Sequence, residues 1–167
     1  LAKGTVGLAG TLEFTEAAKT LGSLPASRTA SGERKSLRMN LVSAAGNILK
    51  DGMMIEFDAS NQNRYDNEDA PKQLNSYENT GIKLGSKILS VERHALPQNN
   101  DTIRLFISNL YNGNYKWLIA AQNLEQPGLT AFFEDKYTAI SAALNLTDST
   151  IVMFTADNNA ASKASDR

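Results

Sequence analysis

The sequence predicts an all-β protein, a jelly-roll-like two-sheet β-sandwich of about eight or nine short strands with at most one or two short helical turns. Several segments alternate apolar and polar side chains at period two, which places one face of each strand against a core. Asn, Gly, Asp and Pro interrupt these segments at short intervals, as they do in sandwiches and barrels. No segment carries a long apolar stripe of period 3.6, so helix is a minor component.

This alternation predicts five strands, taken here in chain order. Its predicted inward-facing residues are Leu37, Met39 and Leu41 in LRMNLV, Met53, Ile55 and Phe57 in DGMMIEFD, Leu89 and Val91 in SKILSVERH, Ile103, Leu105 and Ile107 in DTIRLFISN, and Tyr115, Trp117, Ile119 and Ala121 in NYKWLIAAQ. Further strands are predicted at GTLEF (10–14), LTAFFEDKY (129–137), ISAALNL (140–146) and STIVMFTA (149–156). The turn-forming Asn112-Gly113-Asn114 predicts a hairpin between the strand in 101–109 and the strand in 114–122.

Helical and loop signals are few. EFTEAAKTLG (13–22) is compatible with a short helix and EDAPKQL (68–74) with a single helical turn. SLPASRTASGE (23–33) is rich in small, polar and turn-forming residues and is predicted to be an exposed loop.

Length and composition favour one domain over residues 1–167, because a chain of 167 residues with 41% hydrophobic residues can bury a continuous core.

The formal net charge of -1 comes from 17 basic and 18 acidic residues that are spread along the chain. The sequence therefore shows no concentration of positive charge of the kind that binds nucleic acid or an anionic membrane. No apolar run approaches the roughly 18 residues that span a bilayer, so direct membrane insertion is not expected. The absence of cysteine excludes disulfides and a thiolate nucleophile. The two ends are those expected of a piece cut from a longer polypeptide.

Catalysis is the least favoured class of function. His94 stands just before a Pro-containing turn, and its local sequence shows no partner for general-base chemistry, so a structural role is favoured. No GxSxG motif of a serine hydrolase is present. The carboxylates that a glycoside hydrolase pairs are available in Glu56, Asp58, Glu92, Glu134 and Asp135, but polar residues of this kind also occupy the solvent face of strands.

The segment DASNQNRYDNEDAPKQ (58–73) concentrates more oxygen ligands than any other. Asp58, Asp66, Glu68 and Asp69 are candidate ligands for Ca²⁺, which takes six to eight oxygens. The spacing is not that of an EF-hand. The alternative, which is favoured, is that Asp and Asn here bond local backbone amides in a turn.

Aromatic side chains offer a platform for a sugar ring. Tyr65, Tyr77 and Tyr111 lie in polar loops and are the candidate ligand-binding residues, whereas Trp117 is in phase with the apolar face of its strand and is assigned to the core.

The order of motifs resembles a family. The FDA…YDNEDAPK loop, the LSVER strand with NDTI after it, and the AFFEDKY segment are similar to a β-sandwich module found near the C-terminal end of large secreted and cell-surface proteins of the Bacteroidetes, which are exported by the type IX secretion system. The resemblance covers about Leu37 to Arg167. Family members carry one more strand after the position of Arg167, so the resemblance implies a sandwich whose final strand is missing here.

The resemblance also implies a role and a location. It implies a noncatalytic structural or adhesive module, extracellular or at the cell surface, whose partners are the rest of a larger polypeptide, other surface proteins or glycans. Partners are expected to add a strand at the open sheet edge. A carbohydrate-binding module with a calcium-stabilised loop is the alternative. Thr102 and Ser149, in Asp-Thr-Ile and Asp-Ser-Thr, are the candidate O-glycosylation sites, although Asp-Ser/Thr also begins strands and turns.

Overall fold

A computed structural model describes residues 33–98 and 100–167, and this part of the chain is mostly β. Its ten strands are β1 Lys35–Ser43, β2 Ile48–Phe57, β3 Ala70–Pro71, β4 Asn79–Leu84, β5 Lys87–His94, β6 Leu105–Ser108, β7 Gly113–Gln122, β8 Phe132–Asp135, β9 Ile140–Ala143 and β10 Ser149–Ala156. Short 3₁₀ turns occupy Ala45–Asn47 and Ala160–Lys163, and the described residues form no α-helix. Accordingly, these residues contain no helix with the length and apolarity needed to cross a membrane.

Eight strands form one mixed sheet. Seven of them follow the order β10-β7-β1-β2-β5-β4-β6, and β3 pairs with β5 beside this path. Every pairing is antiparallel except that of β2 with β5, which run parallel. Strands β8 and β9 form a separate antiparallel hairpin. The all-β prediction is therefore confirmed in its coarse form, with a large curled sheet and a small second one.

The large sheet curls until its two edges are connected by one short segment. Beyond β10, the carbonyl of Ser165 accepts the N–H of Ile107 in β6, at 3.3 Å, although β6 and β10 are opposite edges of the sheet. Two residues further on, Arg167 Nη1 donates to the carbonyl of Thr155 in β10 at 2.9 Å. One short stretch of chain thus contacts both edges, which requires strong curvature of the sheet.

The core lies on the concave side of this sheet and is built by the predicted alternation. Most of the predicted inward-facing residues are buried: Met39, Leu41, Met53, Ile55, Phe57, Leu89, Ile107, Tyr115, Trp117 and Ile119. Trp117 anchors the cluster, with its ring centroid 6.0 Å from Phe133 of β8 and 6.3 Å from Phe154 of β10. The small hairpin therefore packs on the same core as the large sheet.

The predicted hairpin at Asn112-Gly113-Asn114 is wrong. Strand β7 pairs along its length with β1 on one side and β10 on the other, whereas the preceding β6 pairs with β4 at the far edge of the sheet. A turn signal shows that the chain reverses direction, but it does not determine which strands pair. The partners of β7 are determined by the burial of Tyr115, Trp117 and Ile119. Because the sheet is curled, a short loop can lead from β6 at one edge to β7 near the other edge.

The helical turn predicted within EDAPKQL is also wrong. Ala70–Pro71 forms the short strand β3 against β5, and the N–H of Lys72 extends the pairing by donating to Ile88 at 2.8 Å. The residue before a proline is disfavoured in the α region, which explains the extended backbone. Strand β4 was not predicted. The predictions for 10–14 and 13–22, and nearly all of the 23–33 loop, lie outside the described residues.

Candidate functional site

The most distinctive polar feature is produced by a β-bulge in β5. Ala70 pairs with Val91 while Pro71 pairs with Leu89, so Ser90 is an extra residue in β5. A bulge shifts the alternation of a strand by one residue. Leu89 faces the core on one side of the bulge, and Glu92 and His94 face it on the other, beside their parallel neighbours Ile55 and Phe57. The prediction that Val91 points inward and Glu92 outward is therefore wrong.

The bulge places Glu92 and His94 in the wall of a cavity of about 240 Å³. Both residues are buried, and Glu92 is only 2% exposed. The cavity wall combines apolar side chains with acidic and basic groups. Its apolar residues are Ile82, Leu84 and Ile103, and its further charged residues are Lys83, Asp101 and Arg104.

The imidazole of His94 lies between two carboxyl groups. Its Nδ1 is 2.9 Å from the carbonyl of Ala95, which only accepts, so Nδ1 carries a proton. Nε2 faces Glu92 Oε1 at 3.9 Å, and Nδ1 is 3.9 Å from Asp101 Oδ2. The ring also packs against Phe57, with centroids 5.6 Å apart.

Burial raises the pKa of the Glu92 carboxyl above its ordinary value. The neighbouring charges of Asp69 and Asp101 raise it further, while the Coulombic attraction of His94 opposes the shift. In the described part of the chain, Glu92 makes no side-chain hydrogen bond and no ion pair with Lys or Arg. The carboxyl lies beside the His94 ring, and among the described residues the one buried side-chain nitrogen or oxygen without a hydrogen-bond partner is Nε of Arg93.

The sequence shows no partner for His94, whereas the structure places two carboxyl groups beside it, those of Glu92 and Asp101. Both carboxyl groups lie too far from the ring nitrogens for hydrogen bonds, so these three residues lack the bonded relay of a nucleophile, base and orienting acid.

Of the five carboxylates named above as candidate catalytic pairs, only Glu92 lines the cavity. Glu56 pairs with Arg34 and Arg93, and Asp135 pairs with Arg167. No sequence signal reveals this cluster, because the bulge that creates it is a matter of strand pairing.

The four candidate calcium ligands bond to nearby groups of the chain. Asp58 Oδ1 accepts both the N–H and the hydroxyl of Ser60, at 2.8 and 2.6 Å, and these bonds lower the pKa of Asp58. Glu68 Oε2 lies 3.7 Å from Arg93 Nε. Asp66 Oδ1 accepts the N–H of Glu68 at 2.8 Å.

Asp69 anchors this loop to the sheet. Its carboxylate is buried and accepts the N–H of Arg93 in β5 and the N–H of Asp66, each at 2.9 Å. In residues 33–98 and 100–167, no group of three or more His, Asp or Glu side chains is arranged to hold a metal ion. The loop therefore has the bonding of a turn in this structure.

Two of the three candidate tyrosines belong to one hydrogen-bonded group. Tyr77 and Tyr111 are 67% and 58% exposed. The hydroxyl of Tyr115 accepts the N–H of Tyr111 at 3.1 Å and donates to Oε1 of Glu78, the residue after Tyr77, at 3.0 Å. The side-chain amide of Asn109 donates to the carbonyl of Tyr77 at 3.2 Å.

Tyr65 is also exposed, and Nζ of Lys87 lies 5.4 Å from the centroid of its ring. The two residues of the candidate glycosylation motifs are exposed. In each motif the aspartate accepts the next backbone N–H: Asp101 bonds Thr102 at 3.0 Å and Asp148 bonds Ser149 at 2.6 Å.

Comparisons with known proteins identify no relative of this chain. No protein-family model matches the chain, and no curated protein or solved structure shows significant similarity to it.

Proposed function

We propose that the chain is a noncatalytic structural or adhesive module of a secreted or surface-attached bacterial protein, and that it assembles through strand β10. The observation that carries this proposal is the position of β10 as the terminal strand of the large sheet among the described residues, paired only with β7. A strand in that position presents a row of backbone donors and acceptors to a further strand.

The side chains of β10 favour pairing over protection. The sequence STIVMFTA contains no charged residue and no proline, the two devices that commonly block a sheet edge. Its outward-facing Ile151 and Met153 are 60% and 54% exposed. Arg167 occupies the carbonyl of Thr155 near one end, which leaves the middle of the strand as the docking segment.

The partner that this chain itself can supply is β10 of a second copy. Two antiparallel edge strands pair around a two-fold axis, and the contact closes as a dimer in which Ile151 and Met153 meet their equivalents. In a longer polypeptide, the added strand comes from the remainder of the protein or from another surface protein. We also propose that the fold is of jelly-roll type; the packing of hairpin β8–β9 on the core of the curled sheet supports it.

The similarity of the LSVER and AFFEDKY segments to C-terminal modules of exported Bacteroidetes proteins supports an extracellular or cell-surface location. O-glycans on Thr102 and Ser149 would accompany that location, since both residues are exposed. Intact mass measurement on material from the native host tests this part of the proposal. An unmodified mass would remove it.

Sedimentation velocity over a range of protein concentrations tests assembly through β10. We expect concentration-dependent dimerisation of the wild-type chain and its loss in the Ile151→Lys, Met153→Lys double variant, because charges oppose pairing at an edge. Leu49→Lys is the matched control, since Leu49 is 61% exposed but lies in the internal strand β2. A wild-type chain that stays monomeric, or a control that dissociates equally, would overturn dimerisation through β10.

A carbohydrate-binding module is the second candidate, and the shared support of Tyr77 and Tyr111 favours it. Exposed aromatic rings held by a hydrogen-bonded scaffold offer area for stacking at a low cost in conformational entropy. Glycan-array binding that is lost in Tyr77→Ala and Tyr111→Ala, and kept in Tyr65→Ala, would favour this candidate over the first. Its calcium-stabilised loop would draw on Asp58, Asp66, Glu68 and Asp69.

A further inference from the structure

We propose that Asn112 is a site of spontaneous covalent modification. The backbone nitrogen of Gly113 displaces the side-chain amide of Asn112 as ammonia, and water opens the resulting succinimide ring to aspartate or isoaspartate. Lys163 assists by stabilising the oxygen on which negative charge develops. The inference does not depend on the role proposed for β10. It depends on the residue that follows Asn112, on the openness of this loop and on the contacts of the Asn112 side chain.

The residue after Asn112 sets this asparagine apart. Asn112 is the only asparagine in the sequence that precedes a glycine. To close the ring, the backbone nitrogen of the next residue must approach Cγ of the asparagine, and a side chain on that residue obstructs the approach. Glycine has no side chain and gives its backbone the widest range of conformations. Ring closure is therefore least hindered at Asn112.

The loop that enters β7 leaves the reacting atoms accessible. Asn112 and Gly113 are exposed. A Cβ placed on Gly113 would have no atom of the described residues within 4 Å, apart from those of its chain neighbours. Gly113 pairs with Ala156, the last residue of β10, and such a terminal pairing opens more readily than the pairings inside a ladder. The nitrogen of Gly113 is therefore freed without unfolding of the sheet.

The contacts of the Asn112 side chain favour the charge that the reaction creates. Nζ of Lys163 donates to Oδ1 of Asn112 at 2.5 Å, and Nδ2 of Asn112 donates to Oδ1 of Asn158 at 2.5 Å. When the nitrogen of Gly113 bonds to Cγ, Oδ1 becomes an oxyanion beside the ammonium group of Lys163. A donor that is already aimed at the developing charge lowers the barrier.

The atoms balance with water and its hydroxide as the only co-reactants. Hydroxide takes the proton of the Gly113 N–H, the N–Cγ bond forms, and the Cγ–Nδ2 bond breaks as ammonia leaves with a proton from water. Water then adds to one of the two ring carbonyls. Cleavage of the bond between Cγ and nitrogen gives aspartate at position 112. Cleavage at the main-chain carbonyl gives isoaspartate, in which the chain runs through the former side chain.

The two products leave different junctions between the loop before β7 and the segment after β10. Aspartate keeps an oxygen beside Lys163 and turns a neutral hydrogen bond into an ion pair. Isoaspartate lengthens the main chain by one carbon just before β7 and moves the carboxylate away from Lys163 and Asn158. The isoaspartate form therefore loses the two side-chain bonds that join these segments.

Incubation of the full chain for several weeks at neutral pH and physiological temperature, followed by tryptic digestion and fragmentation mass spectrometry, tests the inference. Trypsin releases residues 105–116 as one peptide, which contains three exposed asparagines, Asn109, Asn112 and Asn114. We expect the mass gain of deamidation at Asn112 alone, in two forms that separate by chromatography. The other two asparagines precede larger residues and are the internal controls. A sample digested before incubation corrects for conversion during digestion.

Lys163→Met should slow the appearance of both products about two- to fivefold, the effect of one exposed charge. Lys163→Arg, which keeps a cation, should restore most of the wild-type rate. Asn158→Ala removes the other contact and keeps Lys163, so it should not slow the conversion. An unmodified Asn112 after incubation, or equal conversion of Asn109 and Asn114, would overturn the site. An undiminished rate in Lys163→Met would overturn the role of Lys163.

Discussion

Arg167 and Asp135 form a buried ion pair that joins the segment after β10 to hairpin β8–β9. Nε of Arg167 lies 3.1 and 3.0 Å from Oδ1 and Oδ2 of Asp135, and Nη2 lies 2.8 Å from Oδ2. Nη1 donates to the carbonyls of Thr155 and Ser162, and the guanidinium lies 4.6 Å from the ring centroid of Phe154. The arginine thus connects the small hairpin, strand β10 and the 3₁₀ turn.

Loss of this arginine should be among the most destabilising substitutions in the protein. Arg167→Ala leaves Asp135 buried without its partner, and we expect the free energy of unfolding to fall by about 3–5 kcal/mol in urea denaturation. Lys163→Ala removes an exposed bond to Asn112 and is the control, with an expected effect below about 1 kcal/mol. Similar losses in both variants would contradict this role for Arg167.

The same ion pair predicts an acid-sensitive component of stability. Burial tends to raise the pKa of Asp135, but bonds from Arg167 and Thr138 outweigh it and hold the pKa below its ordinary value of 3.8. The stabilisation is therefore complete above the unfolded-state pKa and is lost as pH falls below about 4 toward the folded-state value. Unfolding free energies measured across this range should fall less steeply in Arg167→Ala than in the wild type.

The hydroxyl of Tyr115 should stabilise the fold and hold the loop of Tyr111. Tyr115→Phe leaves Glu78 Oε1 and the N–H of Tyr111 without this partner, and we expect a loss of about 1–3 kcal/mol in urea denaturation. Tyr77→Phe, which alters an exposed ring, should change stability little. A wild-type stability in Tyr115→Phe would show that water replaces the hydroxyl without cost.

Alkaline titration gives a second measurement on this residue. Burial, reinforced by Glu78, raises the pKa of Tyr115 to about 12 from the ordinary value of 10.0. Because the folded state favours the neutral phenol, this contribution is present below pH 10 and is lost as pH rises toward 12. Ultraviolet titration should show one tyrosine ionising late in the wild type and none so late in Tyr115→Phe.

Gly81 in β4 should tolerate no side chain. A Cβ at this position would lie 2.7 Å from Ile88 Cγ2 and 2.9 Å from the backbone carbonyl of Leu89. We expect Gly81→Ala to cost about 1–3 kcal/mol in thermal or urea denaturation, because backbone atoms must shift. Gly52→Ala is the control, since the nearest atom there is the side-chain Oδ1 of Asn40, which can rotate away. A larger loss for Gly52→Ala would contradict this assignment.

The acidic loop should behave as a turn in calorimetry. We expect no heat of Ca²⁺ binding, and we expect Asp69→Ala to cost about 1–3 kcal/mol because it removes the bonds to Arg93 and Asp66. Asp66→Ala, which removes one exposed local bond, should cost less. A Ca²⁺ binding heat that disappears in Asp66→Asn would instead favour the calcium site.

The sequence alone predicted the β class, the apolar face of most strands and the span of β10. These features depend on the order of residues within one strand, because period-two alternation decides which side chains can be buried together. Leu37 to Leu41 and Tyr115 to Ile119 follow this rule closely. The local bonding of Asp66 and Asp58 was also accessible, since Asp accepts amides two residues along wherever a turn forms.

Tertiary structure decided which strands pair and therefore what faces the cavity. Strand β7 joined β1 and β10 because burial of Trp117 outweighed a local turn signal, and pairing between β3 and β5 produced the bulge that turned Glu92 and His94 inward. A one-residue shift in register exchanges the two faces of a strand, and contacts between distant segments fix that register. The sequence of β5 indicates a strand, whereas the acid–base cluster around His94 forms only where β5 pairs with β2 on one side and β3 on the other.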